Sequence, residues 1–215
     1  MAKAVASSPR RRAALSAERI VAAAVSLIDN DGIDALSMRR LGAALGVEAM
    51  SLYRHFPSKG ALLEAVVARL LAELPVPAPT AARWQDAFRA LARAYRALLT
   101  RHPKAIPLLA TLELSNPGSL AVAGAVMALF STAGFDPRTS LYILATGESF
   151  VIGFAYWEAG TATLREGRAA PPPVPPGADP YLVAHWNELT DQDCDKAFEF
   201  GLDVLVAGLE KVRNT

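Results

Sequence analysis

The stretch that most constrains the fold runs from Met38 to Lys59 and reads MRRLGAALGVEAMSLYRHFPSK. Its apolar positions fall where two short helices that cross steeply would face a shared core. Gly42 is small where the second helix must approach the first, and Gly46 stands at the turn, where a positive φ is cheap for glycine. This pattern predicts a helix-turn-helix, with helices over about Met38 to Leu45 and Glu48 to Arg54.

The side chains that would point outward from this pair are small, hydroxylic, aromatic or cationic. Groups of these kinds fit a DNA major groove and the phosphates beside it. They are Arg39, Arg40, Ala49, Met50, Ser51, Tyr53 and Arg54. The alternative is that two short helices with a glycine turn merely pack against each other, because a fold does not by itself fix a function.

The residues that follow favour the DNA-binding interpretation. The run LYRHFPSKGALLEAVV, preceded by an amphipathic helix that ends at Asp31-Gly32, resembles the DNA-binding domain of the tetracycline-repressor (TetR) family. The resemblance covers about Leu15 to Leu71. It implies an N-terminal helix-turn-helix domain of three helices, followed by a helical C-terminal domain for ligand binding and dimerisation.

The resemblance also implies which residues touch DNA. The positions that match the family's contacts, mostly to phosphates and a thymine methyl, are Arg39, Ser51, Tyr53, His55 and Lys59. Ala49 and Met50 occupy the family's main base-reading sites, and neither can form a bidentate pair with adenine or guanine. Specificity is therefore expected from contacts with thymine methyls, from Arg39 or Arg54, or from DNA shape.

Charge is divided unevenly along the chain. Residues 1–60 carry a net charge of +4 and the remainder carries −3, as expected for a phosphate-facing module joined to a separate regulatory domain. Residues 1–14 contain three consecutive arginines but no apolar periodicity, so we expect a disordered basic arm. That arm either touches DNA or is a solubilising tail.

The composition predicts an all-α protein. Hydrophobic residues make up 52% of the 215 positions, Ala and Leu are abundant, β-branched runs are few, and nine or ten helices can be traced. We expect a DNA-binding domain with its connecting helix over 15–74, a proline-rich boundary at 75–79, and the ligand-binding and dimerisation domain over 80–215. The proline cluster from Pro171 to Pro176 is interpreted as a surface loop, either an inert linker or a specific gating or docking segment.

Two helices of the C-terminal domain are too apolar to be one-sided. Residues 141–157 (LYILATGESFVIGFAYW) and 197–209 (AFEFGLDVLVAGL) include small residues at Gly147, Gly153, Gly201, Ala207 and Gly208. A four-helix bundle across a two-fold axis would cover both faces and predicts a homodimer. The alternative is a deep core within one chain.

A ligand cavity in this domain is implied by the family resemblance. We expect a small, largely apolar effector, and aromatic and cationic compounds are included in this expectation. Each apolar candidate taken singly is more often a core residue than a ligand contact, whereas Glu113, Glu148 and Tyr142 are polar groups that could orient a ligand. The full set of candidate ligand-binding residues is Trp84, Phe88, Leu91, Tyr95, Leu109, Leu112, Glu113, Met127, Phe130, Glu148, Phe150, Phe154 and Trp157.

The chain departs from the tetracycline-binding members at their drug and magnesium positions. Residues 107–110 (PLLA) contain no histidine, Leu91 stands in place of a drug-binding amide, and Glu148 or Ser149 replaces a second histidine. The three histidines are far apart in sequence. We therefore expect neither tetracycline binding nor a metal site, and no cofactor.

No catalytic motif supports an enzyme. No apolar stretch approaches the roughly 20 residues of a membrane span, and the single cysteine, Cys194, suits a reducing cytoplasm. The sequence thus predicts a cytoplasmic, homodimeric transcriptional repressor that binds a palindromic operator in double-stranded DNA and is released by a small effector. The alternative is a DNA-binding regulator or adaptor without an effector.

Overall fold

A computed structural model describes residues 14–75, 83–111, 117–165, 172–190 and 193–213, and these residues form eleven α-helices and no strands. The all-α prediction is confirmed. The helices are α1 Ala17–Asp31, α2 Met38–Leu45, α3 Ala49–Tyr53, α4 Lys59–Leu71, α5 Trp84–Arg101, α6 Ile106–Ala110, α7 Pro117–Thr132, α8 Pro137–Arg165, α9 Pro180–Ala184, α10 Trp186–Thr190 and α11 Cys194–Arg213. Short 3₁₀ turns span Ile33–Ala35 and Pro103–Ala105.

The helix count exceeds the expected nine or ten in this part of the chain. Two of the helices, α9 and α10, are only five residues long each and are separated at His185. The α9 helix begins at Asp179, whose side chain accepts a hydrogen bond from the Tyr181 N–H, and it already ends at Ala184. Among the described helices, none combines the length and the apolar character needed to cross a membrane.

The first helices begin and end where the sequence places their capping residues. The Ser16 side chain accepts a hydrogen bond from the Arg19 N–H at 3.3 Å, and Ser37 accepts one from the Arg40 N–H at 3.2 Å. Ser58 caps α4 in the same way, through the Ala61 N–H at 3.0 Å. Because each hydroxyl satisfies an N–H that has no partner within the helix, the boundaries are set locally.

The chain divides into two compact units between Val66 and Val67, within α4. We call residues up to Val66 the head and residues from Val67 onward the body. The head core is made of α1, α2 and α3, with Ile20, Leu41 and Leu52 fully buried. The proline-rich boundary expected at 75–79 lies mostly outside the described residues, so that division of domains stays a prediction, as does the arm over 1–14.

Within the body, α8 is the central helix and contacts α5, α6, α7 and α11. A cluster of aromatic rings joins α5 and α7 to the turn before α8, with centroid distances of 5.4–5.8 Å. Its members are Trp84, Phe88, Phe130 and Phe135. Edge-to-face packing of this kind buries large areas in defined orientations, so the cluster fixes how these elements meet.

Candidate DNA-binding surface and ligand cavity

The turn between α2 and α3 has the close geometry that the sequence predicted. Gly46 has φ 70° and ψ 33°, a left-handed conformation that glycine adopts without strain. A Cβ atom on Gly42 would lie 2.9 Å from the Val47 carbonyl oxygen and 3.2 Å from the Ala49 nitrogen. The backbone at the start of α3 therefore packs directly on α2, and only glycine leaves room for it.

The eight residues proposed from the sequence to contact DNA lie together on α2, on α3 and up to the start of α4. Leu52 is fully buried and anchors α3 to the head core. Its neighbours on the helix point away: Met50 and Tyr53 are exposed, and Ala49 and Ser51 are half-buried. The remaining four side chains are exposed: Arg39, Arg54, His55 and Lys59.

Arg40, also predicted to point outward, is exposed but paired. Its guanidinium donates to the Asp31 carboxylate at 2.6 Å, which ties the start of α2 to the end of α1. α3 is also slightly shorter than expected, because Glu48 and Arg54 flank it as capping positions. The geometry thus presents a compact exposed surface of mixed cationic, hydroxylic and apolar groups.

A cavity of about 90 Å³ lies in the body between α5, α7 and α8, closed on one side by the residues at the end of α4. Four of the expected pocket residues line it: Phe88, Leu91, Tyr95 and Glu148. The other lining residues were not among those expected to line a ligand pocket, and they are Leu71, Leu74, Ala92, Ser119, Val122, Ala123, Val126, Leu144, Gly147 and Val151.

The lining residues of α7 that were not predicted have only a weak sequence pattern that could have indicated a cavity. Ser119, Val122, Ala123 and Val126 recur at three- and four-residue spacing and so form one stripe along α7. Small aliphatic side chains of this kind are common in any core, and the sequence interpretation favoured aromatic residues instead. The cavity is consequently more aliphatic than expected.

The structure places the other expected pocket residues elsewhere. Trp84 and Phe130 belong to the ring cluster of the core, while Leu109 is buried in α6 and Met127 is half-buried on α7. A second ring cluster contains Phe150, Phe154 and Trp157, together with Phe198 of α11. The aromatic residues of this group make ring contacts within these two clusters and are not among the described residues that line the cavity. Leu112 and Glu113 lie outside the described residues.

Two of the residues that line the cavity are ionisable, Tyr95 on α5 and Glu148 on α8. Burial raises the pKa of the Tyr95 phenol, and the negative charge of Glu148 raises it further. The apolar surroundings raise the pKa of Glu148 as well, by desolvation of its carboxylate. No Lys, Arg or His is among the described lining residues, so both ionisable groups of the described lining are acids.

Three arginines of α5 form ion pairs with acidic residues of α8 and α11. Arg89 donates to Asp203 at 2.8 Å, and Arg93 donates to Glu199 at 2.6 Å. Arg96 contacts Glu158 of α8 and Asp195 of α11, both at 2.8 Å.

The Arg96 guanidinium also lies over the rings of Phe154 and Phe198, at 5.3 and 4.8 Å from their centroids. We call these pairs, from Arg89 to Arg96, the arginine ladder. The sequence gives no local indication of this ladder, because the paired residues are more than sixty positions apart in the chain.

α8 and α11 keep exposed apolar side chains within a single chain. Phe200 is 72% exposed and Val204 is 55% exposed. The four glycines among the small residues expected at a dimer interface divide into two sets. Gly147 and Gly201 accommodate the Phe88 and Phe150 rings of the same chain, whereas a Cβ on Gly153 or Gly208 would contact nothing.

Comparison with known proteins agrees with this two-part organisation. Residues 20–66 match the family model for bacterial regulatory proteins of the tetR family, and residues 76–213 match that of the tetracyclin repressor-like C-terminal domain. An HTH-type transcriptional regulator of Saccharopolyspora erythraea is 32% identical over 93% of this chain and 86% of its own. The class A tetracycline repressor of Escherichia coli is 30% identical over 93% of this chain and 92% of its own.

Among solved structures, the ActR protein of Streptomyces coelicolor in complex with actinorhodin superimposes with a TM-score of 0.78. It is 27% identical, and the match covers 94% of this chain and all of that one. A possible TetR family transcriptional regulator from the same organism has a TM-score of 0.77 at 31% identity, over 92% of this chain and all of its own.

A helix-turn-helix head joined to an all-helical body with an internal cavity defines a ligand-responsive transcriptional repressor. The chain belongs to the TetR family of bacterial regulatory proteins. The resemblance noted in the sequence is confirmed. In the described part of the chain no three side chains of metal-ligating type come together, and the expectation about metal stays a prediction.

Proposed function

We propose that the protein acts in the cytoplasm as a homodimer whose two heads bind a palindromic operator, and that a small, largely apolar effector in the body releases it. The observation that carries this proposal is the pairing of an exposed DNA-facing surface with an apolar cavity in one chain. Each α3 would enter a major groove, with half-sites about one helical turn apart, roughly 34–36 Å.

The exposed apolar face of α8 and α11 supports the homodimer. Phe200 and Val204 would lose their contact with water in an isologous interface, and Gly153 and Gly208 would allow backbones to approach closely. Sedimentation velocity tests this proposal. Phe200→Glu places a charge on the face and should shift the protein to monomer, whereas Glu188→Lys, on exposed α10, should leave the dimer intact.

The effector would act through α4. The helix begins at Lys59, one of the proposed DNA contacts, and its last residue, Leu71, lines the cavity. A ligand that binds one arrangement of α4 more tightly shifts the population towards that arrangement. Release of DNA follows if the arrangement preferred by the ligand misaligns the two heads.

The DNA contacts are tested by footprinting on the DNA that flanks the protein's own gene, and by titration with random duplex. Lys59→Ala should weaken binding to both DNAs alike and reduce the slope of log affinity against log salt by about 1, as a phosphate contact does. Tyr53→Phe should weaken both without changing the slope. Arg83→Ala removes an exposed cation of the body and serves as the control.

Two outcomes would contradict the proposal. If Lys59→Ala or Tyr53→Phe altered sequence preference but not affinity for random DNA, these residues would not be phosphate contacts. If no apolar compound that binds the body displaced the protein from its footprint, the chain would be a DNA-binding regulator or adaptor without an effector.

A further inference from the structure

The cavity contains one carboxylate to which the fold assigns no partner. Glu148 lies on α8 at the rim, and no hydrogen bond or ion pair joins it to another described residue. Glu158, three turns further along the same helix, shows the contrast. Its carboxylate accepts two hydrogen bonds from the Arg96 guanidinium, at 2.8 and 3.0 Å.

The cations on the neighbouring helix are already committed. Arg89, Arg93 and Arg96 of α5 are held by acids in the arginine ladder. Tyr95 is the α5 side chain with an ionisable group on the cavity side. α7 and the end of α4 contribute only aliphatic groups and the Ser119 hydroxyl to the described lining, so no protein cation in that lining balances Glu148.

The remaining lining groups suit a cation with an apolar body. Phe88 and Tyr95 offer aromatic rings, whose faces attract positive charge, and the aliphatic residues of α7 and α8 offer apolar contact. A ligand cation would be attracted by the carboxylate of Glu148, a residue that stays partly in contact with water. An anionic ligand would instead add repulsion.

We infer that this cavity binds a small organic ammonium ion, with its positive charge paired to Glu148 and its hydrocarbon part packed between α5, α7 and α8. This inference rests on the proposed function and specifies the chemical class of the effector. The carboxylate of Glu148 would favour ligands with a positive charge, and the apolar walls of the cavity would limit the size of the ligand's hydrocarbon part.

Because Glu148 can be protonated, the affinity of the cavity for a cation should depend on pH. Desolvation raises the pKa of Glu148 in the empty cavity, and a bound cation would lower it again. A permanently charged ligand therefore binds more tightly as pH rises through the raised pKa, and its affinity levels off above that pKa. A neutral ligand of the same shape gains nothing from ionisation of Glu148.

The test compares phenyltrimethylammonium with tert-butylbenzene, which have the same shape and differ in charge. Dissociation constants are measured by titration of the full-length protein, at several pH values from 5 to 8. At pH 8 the cation should bind roughly tenfold more tightly than the hydrocarbon, which corresponds to about 1.4 kcal/mol. The preference should shrink as pH falls.

Glu148→Gln should abolish the preference and its pH dependence while leaving tert-butylbenzene binding unchanged. Glu188→Gln, at an exposed position of α10 outside the cavity lining, is the matched control and should retain the preference. If Glu148→Gln does not fold, the pH profile of the wild-type protein still decides.

Equal binding of both probes to the wild-type protein, or a preference that survives in Glu148→Gln, would overturn the inference but leave the apolar cavity of the proposed function in place. Failure of both probes to bind would overturn the inference, whereas the proposed function is decided separately by displacement of the protein from its footprint.

Discussion

In the head, backbone atoms determine how the helices meet, whereas in the body side chains do so. Gly42 brings α2 within direct contact of the backbone that starts α3, and Ser16, Ser37 and Ser58 fix three helix starts. The body is held by aromatic rings and by the arginine ladder, in which every partner comes from a distant part of the chain.

This difference suits the two tasks. A surface that must match DNA needs a fixed shape, and backbone contacts with glycine allow little variation. A body that must respond to a ligand needs interior space, and side-chain packing can leave a cavity among α5, α7 and α8 without loss of the helices. The two kinds of contact also predict different sensitivities to substitution.

The largest effect is expected in the ring cluster of the body. Phe130→Ala removes a fully buried ring that contacts Trp84, Phe88 and Phe135, and should lower the free energy of unfolding by about 3–5 kcal/mol. Leu120→Ala, an exposed position on the same helix, should cost less than about 1 kcal/mol. Urea unfolding monitored by tryptophan fluorescence measures both. Similar losses would mean that the cluster does not organise the body.

The ion pairs of the arginine ladder should differ strongly in how much each contributes to the free energy of unfolding. Arg96→Met leaves Glu158 without its partner, and because these side chains are only 14% and 21% exposed, the cost should be about 3 kcal/mol. Arg93 and Glu199 are 51% and 40% exposed, so Arg93→Met should cost below about 1 kcal/mol. If both variants lost the same stability in thermal unfolding, burial would not determine how much each ion pair stabilises the protein.

In the head, a single methyl group should be enough to disturb the packing. Gly42→Ala would place its Cβ 2.9 Å from a backbone oxygen that cannot move aside, and should cost roughly 1–3 kcal/mol and weaken DNA binding. Gly124→Ala in α7 meets nothing within 4 Å and should stabilise the protein by about 0.4–1 kcal/mol. A Gly42→Ala variant with unchanged stability and DNA binding would show that backbone contact at Gly42 does not fix how α2 and α3 meet.

The same difference explains what the sequence could predict. Caps, the glycine turn and the outward residues of α3 depend on neighbours within a few positions, so Ser37, Gly46 and Tyr53 could be placed from local pattern alone. The family resemblance predicted that the body contains a cavity, but it did not predict most of the residues that line it.

Partners in the body lie far apart in the chain. Nothing near Arg96 in sequence indicates that Glu158 and Asp195 will surround it. Phe130 and Phe150 are large apolar residues of the kind found both in cores and in ligand pockets. Only the packing between helices determines which of the two each residue joins. Four of the expected pocket residues line the cavity because they lie on the sides of α5 and α8 that face α7.

The smallest effect concerns a cap that depends on pH. Asp136 precedes α8, and its carboxylate accepts hydrogen bonds from the Thr139 hydroxyl and from the N–H groups of Arg138 and Thr139. These bonds lower the pKa of Asp136. Since the folded pKa is depressed, the stabilisation is complete above the ordinary aspartate pKa of about 3.9 and is lost as pH falls through the folded value.

Asp136→Asn keeps an acceptor for the backbone but removes the titration, so it separates the cap from its charge. The melting temperature of the wild-type protein should fall more steeply than that of the variant below about pH 4, and the two curves should run parallel from pH 5 to 7. Asp34→Asn, in an exposed 3₁₀ turn of the head, is the charge control. Parallel curves over the whole range would show that α8, like the helices of the head, is capped by geometry alone.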